Sequence, residues 1–169
     1  VFSRDIIVPQ DILLIIREGA ELLFGPSVSF ISYSPVRAMG TAAQPIVVRP
    51  RFADSAWGVF AVLDTGEEKN IFQHVRMSGG KDATINGIYF SGMLSIHASD
   101  VEFMNGAVSG AGADDGIHVL DGLARIEHTA FSNNFADHID IDFGHRGSEV
   151  AHNTFTISKE RALDKNGDA

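Results

Sequence analysis

A six-residue pattern recurs four times between residues 72 and 155 of the 169-residue chain. Each copy opens on an apolar or small residue, has His or Asp at its third position and ends on a large apolar residue. The copies begin 26, 28 and 24 residues apart. A period in this range indicates a repeat architecture, in which each repeat packs on the next. The four copies are Phe72–Met77, Ala98–Phe103, Ile126–Phe131 and Val150–Phe155.

A second pattern, of alternating apolar and polar residues, follows each copy of the first. Alternation of this kind predicts a short strand with one face in the core and the other outside. Two such segments per repeat, joined by bends, favour an all-β fold. We predict a single right-handed parallel β-helix of about seven turns. The alternating segments are Gly87–Phe90, Gly116–Val119, His138–Ile141 and Ala162–Lys165.

The composition is that of one globular domain covering residues 1–169. Hydrophobic residues make up 44% of the chain and charged residues 21%, which is unlike a disordered protein. The formal net charge of −9 argues against a nucleic-acid partner, which would need a basic face. No cysteine is present, so disulfides and thiolate metal sites are excluded. No apolar run reaches the length of a membrane-spanning helix, and we therefore expect no membrane insertion.

The N-terminal third carries a family resemblance. Leu14–Phe24 and Arg37–Ile46 resemble the opening turns of bacterial right-handed parallel β-helix repeat proteins of the pectate-lyase-like superfamily. Residues 133–143 are similar to the Asp-rich turns of β-helices in spore-coat-H-linked exported proteins. The resemblance implies a bacterial protein that is extracellular, on the cell surface or periplasmic. It implies no single activity, because the superfamily includes lyases, hydrolases, adhesins and inert scaffolds.

The end of the sequence departs from the family pattern. Residues 160–169 stop where a further strand is due. A solenoid end without a cap leaves a sheet edge open to pairing. We therefore expect a fragment of a longer chain, with further chain or another protomer covering this end.

The third positions of the six-residue pattern are His74, Asp100, His128 and His152. Equivalent residues of successive turns stack about 4.8 Å apart. Three stacked histidines suggest a metal site, but a straight column offers no tetrahedral geometry. We predict instead a ladder of polar residues that satisfies backbone groups in the bends.

The strongest candidate site lies in the second pattern, where one outward column is predicted to contain Tyr89, His118, Asp140 and Asp164, and the next column to contain Asp142. Asp140 and Asp142 are two residues apart, so about 6.5 to 7 Å separates their Cα atoms. Oxygen ligands this close suit Ca²⁺. A carboxylate pair at about 5 Å, or at about 6.5 to 9.5 Å, suits retaining or inverting glycoside hydrolysis. The third alternative is a solvated acidic face neutralised by nearby Arg and Lys.

Two functions follow from these alternatives. The first is a non-catalytic scaffold, or a module that recognises a polysaccharide or a protein partner through an acidic, Ca²⁺-binding outer sheet. The second is a polysaccharide lyase or glycoside hydrolase acting through Asp140, Asp142 and Asp164, with His118 as a further candidate. A long inserted segment beside this sheet would favour the enzyme, and the sequence indicates none beyond residues 107–114.

Overall fold

The computed structural model describes residues 1–66 and 68–156. Within these ranges the chain is all-β and contains no helix. It forms three long parallel sheets of six strands each, one strand per sheet from every turn of the coil. The predicted parallel β-helix is thereby confirmed. Six turns fall in the described part, and the last predicted strand, Ala162–Lys165, lies outside the described residues.

The three sheets alternate along the chain. Sheet 1 contains β1 (Ile6–Val8), β4 (Phe30–Ser32), β7 (Phe60–Leu63), β12 (Gly92–His97), β15 (Asp115–Leu120) and β18 (Asp137–Asp142). Sheet 2 contains β2 (Leu14–Arg17), β5 (Val36–Met39), β8 (Asn70–Gln73), β13 (Val101–Met104), β16 (Ala124–Glu127) and β19 (Glu149–Ala151). Sheet 3 contains β3 (Glu21–Phe24), β6 (Ile46–Pro50), β9 (Val75–Ser78), β14 (Ala107–Ser109), β17 (Ala130–Ser132) and β20 (Thr154–Thr156).

The core is a set of stacks that run along the axis of the coil. Alternate residues of each strand point inward, as the pleat requires. Phe30 stacks on Phe60 with ring centroids 4.5 Å apart, and Ile117 and Val119 are fully buried. Their predicted neighbours Ile139 and Ile141 occupy the same inward positions one turn later. Burial of these apolar stacks is the main favourable contribution to folding.

Most strands end at a residue with a left-handed backbone. Such a residue turns the chain sharply from one sheet to the next, and Gly, Asn, Asp and His adopt it at less cost than β-branched residues. Three columns of these residues run along the corners of the coil. They are Asp64, Ala98, Asp121 and Phe143 after sheet 1, His74, Asn105, His128 and His152 after sheet 2, and Gly79, Gly110 and Asn133 after sheet 3.

The second column corrects one of the predicted alignments. The predicted alignment places Ala98 opposite Phe72 and Ile126. The residue paired with both is Phe103, so this copy of the pattern is misaligned by five residues. Asn105, not Asp100, is the partner of the three histidines in the column. The placement of those histidines in bends was correct, and the rings of His128 and His152 stack with centroids 4.9 Å apart.

The second correction concerns Gly87–Phe90. This segment does not belong to the parallel sheets but to an antiparallel hairpin, formed by β10 (Ala83–Ile85) and β11 (Ile88–Phe90). Leu94 and Ile96 of β12 occupy the inward positions that were predicted for Ile88 and Phe90. The expectation of no inserted segment outside residues 107–114 was therefore wrong. The hairpin inserts one between β9 and β12.

Candidate active site

The hairpin divides the outer face of sheet 1 into a covered part and an open part. Its apolar side chains, led by Phe90, pack on Ile31, Val59 and Ala61 and bury them. The outer faces of β15 and β18 lie beyond it. Within the described residues, His118, Asp140 and Asp142 point outward there.

Two histidines and an aspartate connect the two parts. The ring of His97, on β12, lies 4.7 Å from that of Phe90 between centroids. The His97 Nε2 atom is 3.3 Å from Nδ1 of His118, and Nε2 of His118 is 3.5 Å from Oδ2 of Asp142. Both imidazoles are buried, whereas the Asp142 side chain is 57% exposed. Burial lowers the pKa of His97 to about 4, and the adjacent His118 acts in the same direction.

Asp115 is the buried acid of the site. It begins β15, and its Oδ2 accepts a 2.8 Å hydrogen bond from the Ser91 hydroxyl. Burial raises the pKa of the Asp115 carboxyl to about 6, against the opposite effect of the Ser91 hydrogen bond. The negative charge of Asp140 adds to the increase. The raised pKa therefore favours the protonated form of this buried carboxyl group over a wider pH range than in an ordinary aspartate.

We refer to His97, Asp115, His118, Asp140 and Asp142 as the acid–histidine cluster. Within it, ligand atoms of His118, Asp140 and Asp142 all lie within 4.8 Å of one another. The predicted outward positions of these three residues are correct, and β18 pairs with β15 so that Asp140 is opposite His118. The fourth predicted member, Asp164, lies outside the described residues.

Two members of the cluster were not predicted as site residues. His97 was missed because the misaligned hairpin segment took the place of β12 in the repeat. The sequence does contain a signal for this strand. Apolar and polar residues alternate in Leu94–His97 as they do at the start of Ile117–Leu120, the segment with which it pairs. Asp115 was missed because its burial at the start of β15 depends on contacts with residues 91 and 92 that no local pattern reveals.

Other His and aromatic residues lie outside the cluster, among them Tyr89, which is on the hairpin and not in the predicted column of His118. His145 Nε2 is 3.1 Å from Oδ1 of Asp121, at the corner that follows sheet 1. Trp57 is fully buried, and its Nε1 donates to the carbonyl of Ser78, so it offers no surface for sugar stacking. Tyr89 on the hairpin is exposed, and its hydroxyl donates to Oδ2 of Asp82 over 3.2 Å.

A depression of about 500 Å³ lies away from the cluster, between the β1–β2 connection and the turn that follows β7. It is lined by Gln10, Asp11, Tyr33, Asp64 and Glu68 among others. Among the described residues, the acidic side chains of this depression do not form a group of three whose ligand atoms lie within 4.8 Å of one another, as those of His118, Asp140 and Asp142 do.

No protein-family model, curated protein or solved structure matches this chain. The expected membership of the pectate-lyase-like superfamily stays a prediction. The described residues contain no helix long and apolar enough to cross a membrane.

Proposed function

We propose that the protein recognises a polysaccharide on the open part of sheet 1, beside the hairpin. This proposal rests on one observation: some residues of the acid–histidine cluster are buried and others are accessible to solvent. The groups with shifted pKa values, His97 and Asp115, are buried, whereas the exposed Asp142 and the half-buried Asp140 face outward. Hydroxyl-rich ligands are well suited to such a surface, because exposed carboxylates accept hydrogen bonds from several hydroxyls.

The hairpin, which contacts His97 of the cluster through Phe90, supplies an exposed aromatic ring. Tyr89 is 53% exposed, and its hydroxyl donates a hydrogen bond to Asp82. The Tyr89 ring is held in place because the hairpin is anchored to sheet 1. Phe90 packs on the outer face of the sheet, and Asn86 Nδ2 donates a hydrogen bond to the Tyr33 hydroxyl. An exposed, fixed aromatic ring beside carboxylates is a surface on which a sugar ring can stack. As the family resemblance implies, we propose that recognition takes place outside the cell.

A second candidate function is glycoside hydrolysis by Asp140 and Asp142. Two observations favour it, the separation of less than 4.8 Å between their carboxylate oxygens and the hairpin inserted over the outer face of the same sheet. Carboxyl groups about 5 Å apart suit a retaining mechanism. One carboxylic acid would protonate the glycosidic oxygen as its bond to the anomeric carbon breaks, and the other carboxylate would attack that carbon. Water would then release the sugar and restore both groups.

One experiment separates the two functions. Binding and product release are measured with neutral and uronate polysaccharides, with and without Ca²⁺, for wild type, Tyr89→Ala, Tyr89→Phe and Asp140→Asn. Recognition predicts binding without products, weakened about 3- to 10-fold in Tyr89→Ala and retained in Tyr89→Phe. Products that disappear in Asp140→Asn would replace recognition by hydrolysis.

The matched control is Asp121→Asn, which removes an exposed carboxylate at the corner of the coil, outside the cluster. It keeps a residue type that tolerates the left-handed backbone found there. If Asp121→Asn weakens binding as much as Asp140→Asn does, general surface charge explains the binding and the proposed site is wrong.

A further inference from the structure

We infer that His118, Asp140 and Asp142 bind one first-row transition-metal ion, with Zn²⁺ as the best match. The inference rests on the same outer face as the proposed function, but it concerns an ion and not the glycan. It also differs from the Ca²⁺ site expected from carboxylates alone, because an imidazole nitrogen replaces one of the oxygens.

The first support is the geometry of His118 and Asp142. Their Nε2 and Oδ2 atoms are 3.5 Å apart, which is longer than an ordinary N–H···O hydrogen bond. Two ligand atoms that are each about 2.0 to 2.2 Å from one tetrahedral ion are separated by about 3.4 Å. The spacing therefore fits two ligands of one ion better than a direct hydrogen bond.

Asp140 completes a set of three. Its ligand oxygen lies within 4.8 Å of the other two atoms. Bringing all three ligand atoms to the ~3.4 Å separation of a tetrahedral ion requires at most about 1.4 Å of approach between any two of them. Asp142 is exposed and Asp140 half-buried, so rotation of their side chains can supply that movement without moving the strand. Three protein ligands would leave at least one coordination position open to solvent or to a bound ligand.

His97 supplies the outer support that a metal-bound imidazole requires. A histidine that binds metal through Nε2 carries its proton on Nδ1 and donates it to a neighbour. Nε2 of His97 is that neighbour, 3.3 Å from Nδ1 of His118. His97 is itself buried against Phe90, and a buried neutral imidazole is able to accept the bond. His118 is therefore held in an orientation suited to coordination.

The mixed ligand set decides which class of ion is bound. Imidazole nitrogen with carboxylate oxygen suits Zn²⁺ and its first-row neighbours, whereas Ca²⁺ takes 6 to 8 oxygen ligands. An open coordination position would also explain how a chain of net charge −9 could bind an acidic polysaccharide. A uronate carboxylate would bind the ion directly and avoid the surrounding negative charge.

The test measures metal binding without any glycan. Protein freed of metal by chelation is titrated with Zn²⁺, Mn²⁺ and Ca²⁺ in separate calorimetric experiments, and bound metal is counted after dialysis. We expect one Zn²⁺ per chain, bound more tightly than Ca²⁺. Loss of a residue that hydrogen-bonds to a metal ligand weakens metal binding by ~10- to 100-fold. Asp142→Asn and His118→Asn each remove a ligand itself, so each should weaken Zn²⁺ binding by more than this. His97→Phe should weaken it within that ~10- to 100-fold range.

The control variant is His152→Asn. It removes one ring of the exposed His128–His152 stack, a second place where Zn²⁺ could bind adventitiously, and Asn tolerates the left-handed backbone there. Zn²⁺ binding that is lost in His152→Asn and kept in Asp142→Asn would overturn the inference, as would the absence of stoichiometric binding in wild type.

The visible absorption spectrum of the Co²⁺-loaded protein provides a second readout that does not depend on affinity. Loss of the wild-type spectrum in Asp142→Asn is expected, and an unchanged spectrum would exclude Asp142 as a ligand. Because no polysaccharide is present in either measurement, failure of metal binding and failure of glycan recognition are distinguishable.

Discussion

Phe90 of the hairpin and His97 of β12 lie with their ring centroids 4.7 Å apart, at the line where the covered part of sheet 1 meets the open part. This contact attaches the hairpin to sheet 1 and also buries the ring of His97. We expect Phe90→Ala to lower the free energy of unfolding by about 3 kcal/mol, because a large buried ring is lost. We also expect the pKa of His97 to rise towards its ordinary value as water reaches the ring.

Urea unfolding and NMR titration of the His97 ring measure the two effects. Tyr89→Ala is the matched control, since it removes an exposed ring from the same strand. It should change stability by less than about 0.5 kcal/mol. An unaltered pKa of His97 in Phe90→Ala would mean that the hairpin is not what buries this histidine.

Protonation of His97 should destabilise the metal-free protein in acid. Its pKa is lowered from 6.5 to about 4 by burial and by His118, so the folded state favours the neutral ring. The associated stability is present above pH 6.5 and is lost as the pH falls through about 4, by up to about 3 kcal/mol. His97→Gln, whose side chain cannot be protonated, should remove this part of the pH dependence. Urea unfolding at pH 4 and pH 7 provides the comparison.

Asp115 should have the opposite effect. Its pKa is raised from 3.8 to about 6, so the folded state favours the protonated acid. The stability that this provides is present below pH 3.8 and is lost as the pH rises through about 6. Asp115→Asn should therefore be more stable than wild type at pH 8, by up to about 3 kcal/mol, and similar to it at pH 4. Equal stability of the two proteins at both pH values would contradict the burial of a charge at Asp115.

The repeat pattern was sufficient to predict the fold and part of the site, and both of its errors fall in the turn that contains the hairpin. The later turns were aligned correctly with each other, as with Ile117 and Ile139 or Phe131 and Phe155. The hairpin strand Ile88–Phe90 has the same alternation of apolar and polar residues as β15. Alternation reports that one face of a strand is buried, but it does not report which strand is the partner or whether the pair is parallel.

The candidate site was predictable to the same extent. Asp140 and Asp142 lie on the same outward face because they are two residues apart on one strand. His118 joins them because its turn was aligned correctly with theirs. His97 depends on the alignment across the hairpin, and the burial of Asp115 depends on contacts with an earlier turn. The burial of Asp115 could not be obtained from local sequence, and the alternation around His97 identifies a strand without identifying its place in the repeat.

The left-handed corner at His128 predicts an unusual order of substitutions. His128 has a φ of 51°, and its backbone N–H donates to the carbonyl of Ala151 in the next turn. Asn adopts this backbone readily, whereas a β-branched residue is strained in it. We expect His128→Asn to be within about 0.5 kcal/mol of wild type and His128→Val to lose about 1 to 2 kcal/mol. Urea unfolding measures both, and equal losses would show that the imidazole ring and not the backbone accounts for the cost.

Phe131 tests the alignment of the central stack. It is buried, pairs with Val108 and Phe155 in neighbouring turns, and its ring centroid lies 5.3 Å from that of Phe155. Phe131→Asp would place a charge with no partner in this stack, at a cost of more than about 4 kcal/mol, a large part of the stability of an ordinary domain. We expect the variant to be insoluble or unfolded by circular dichroism. Phe143→Asp is the control, because Phe143 is 82% exposed and has a left-handed backbone that Asp adopts more easily than Phe. It should fold normally, and a Phe131→Asp protein as stable as this control would refute the inward position of Phe131.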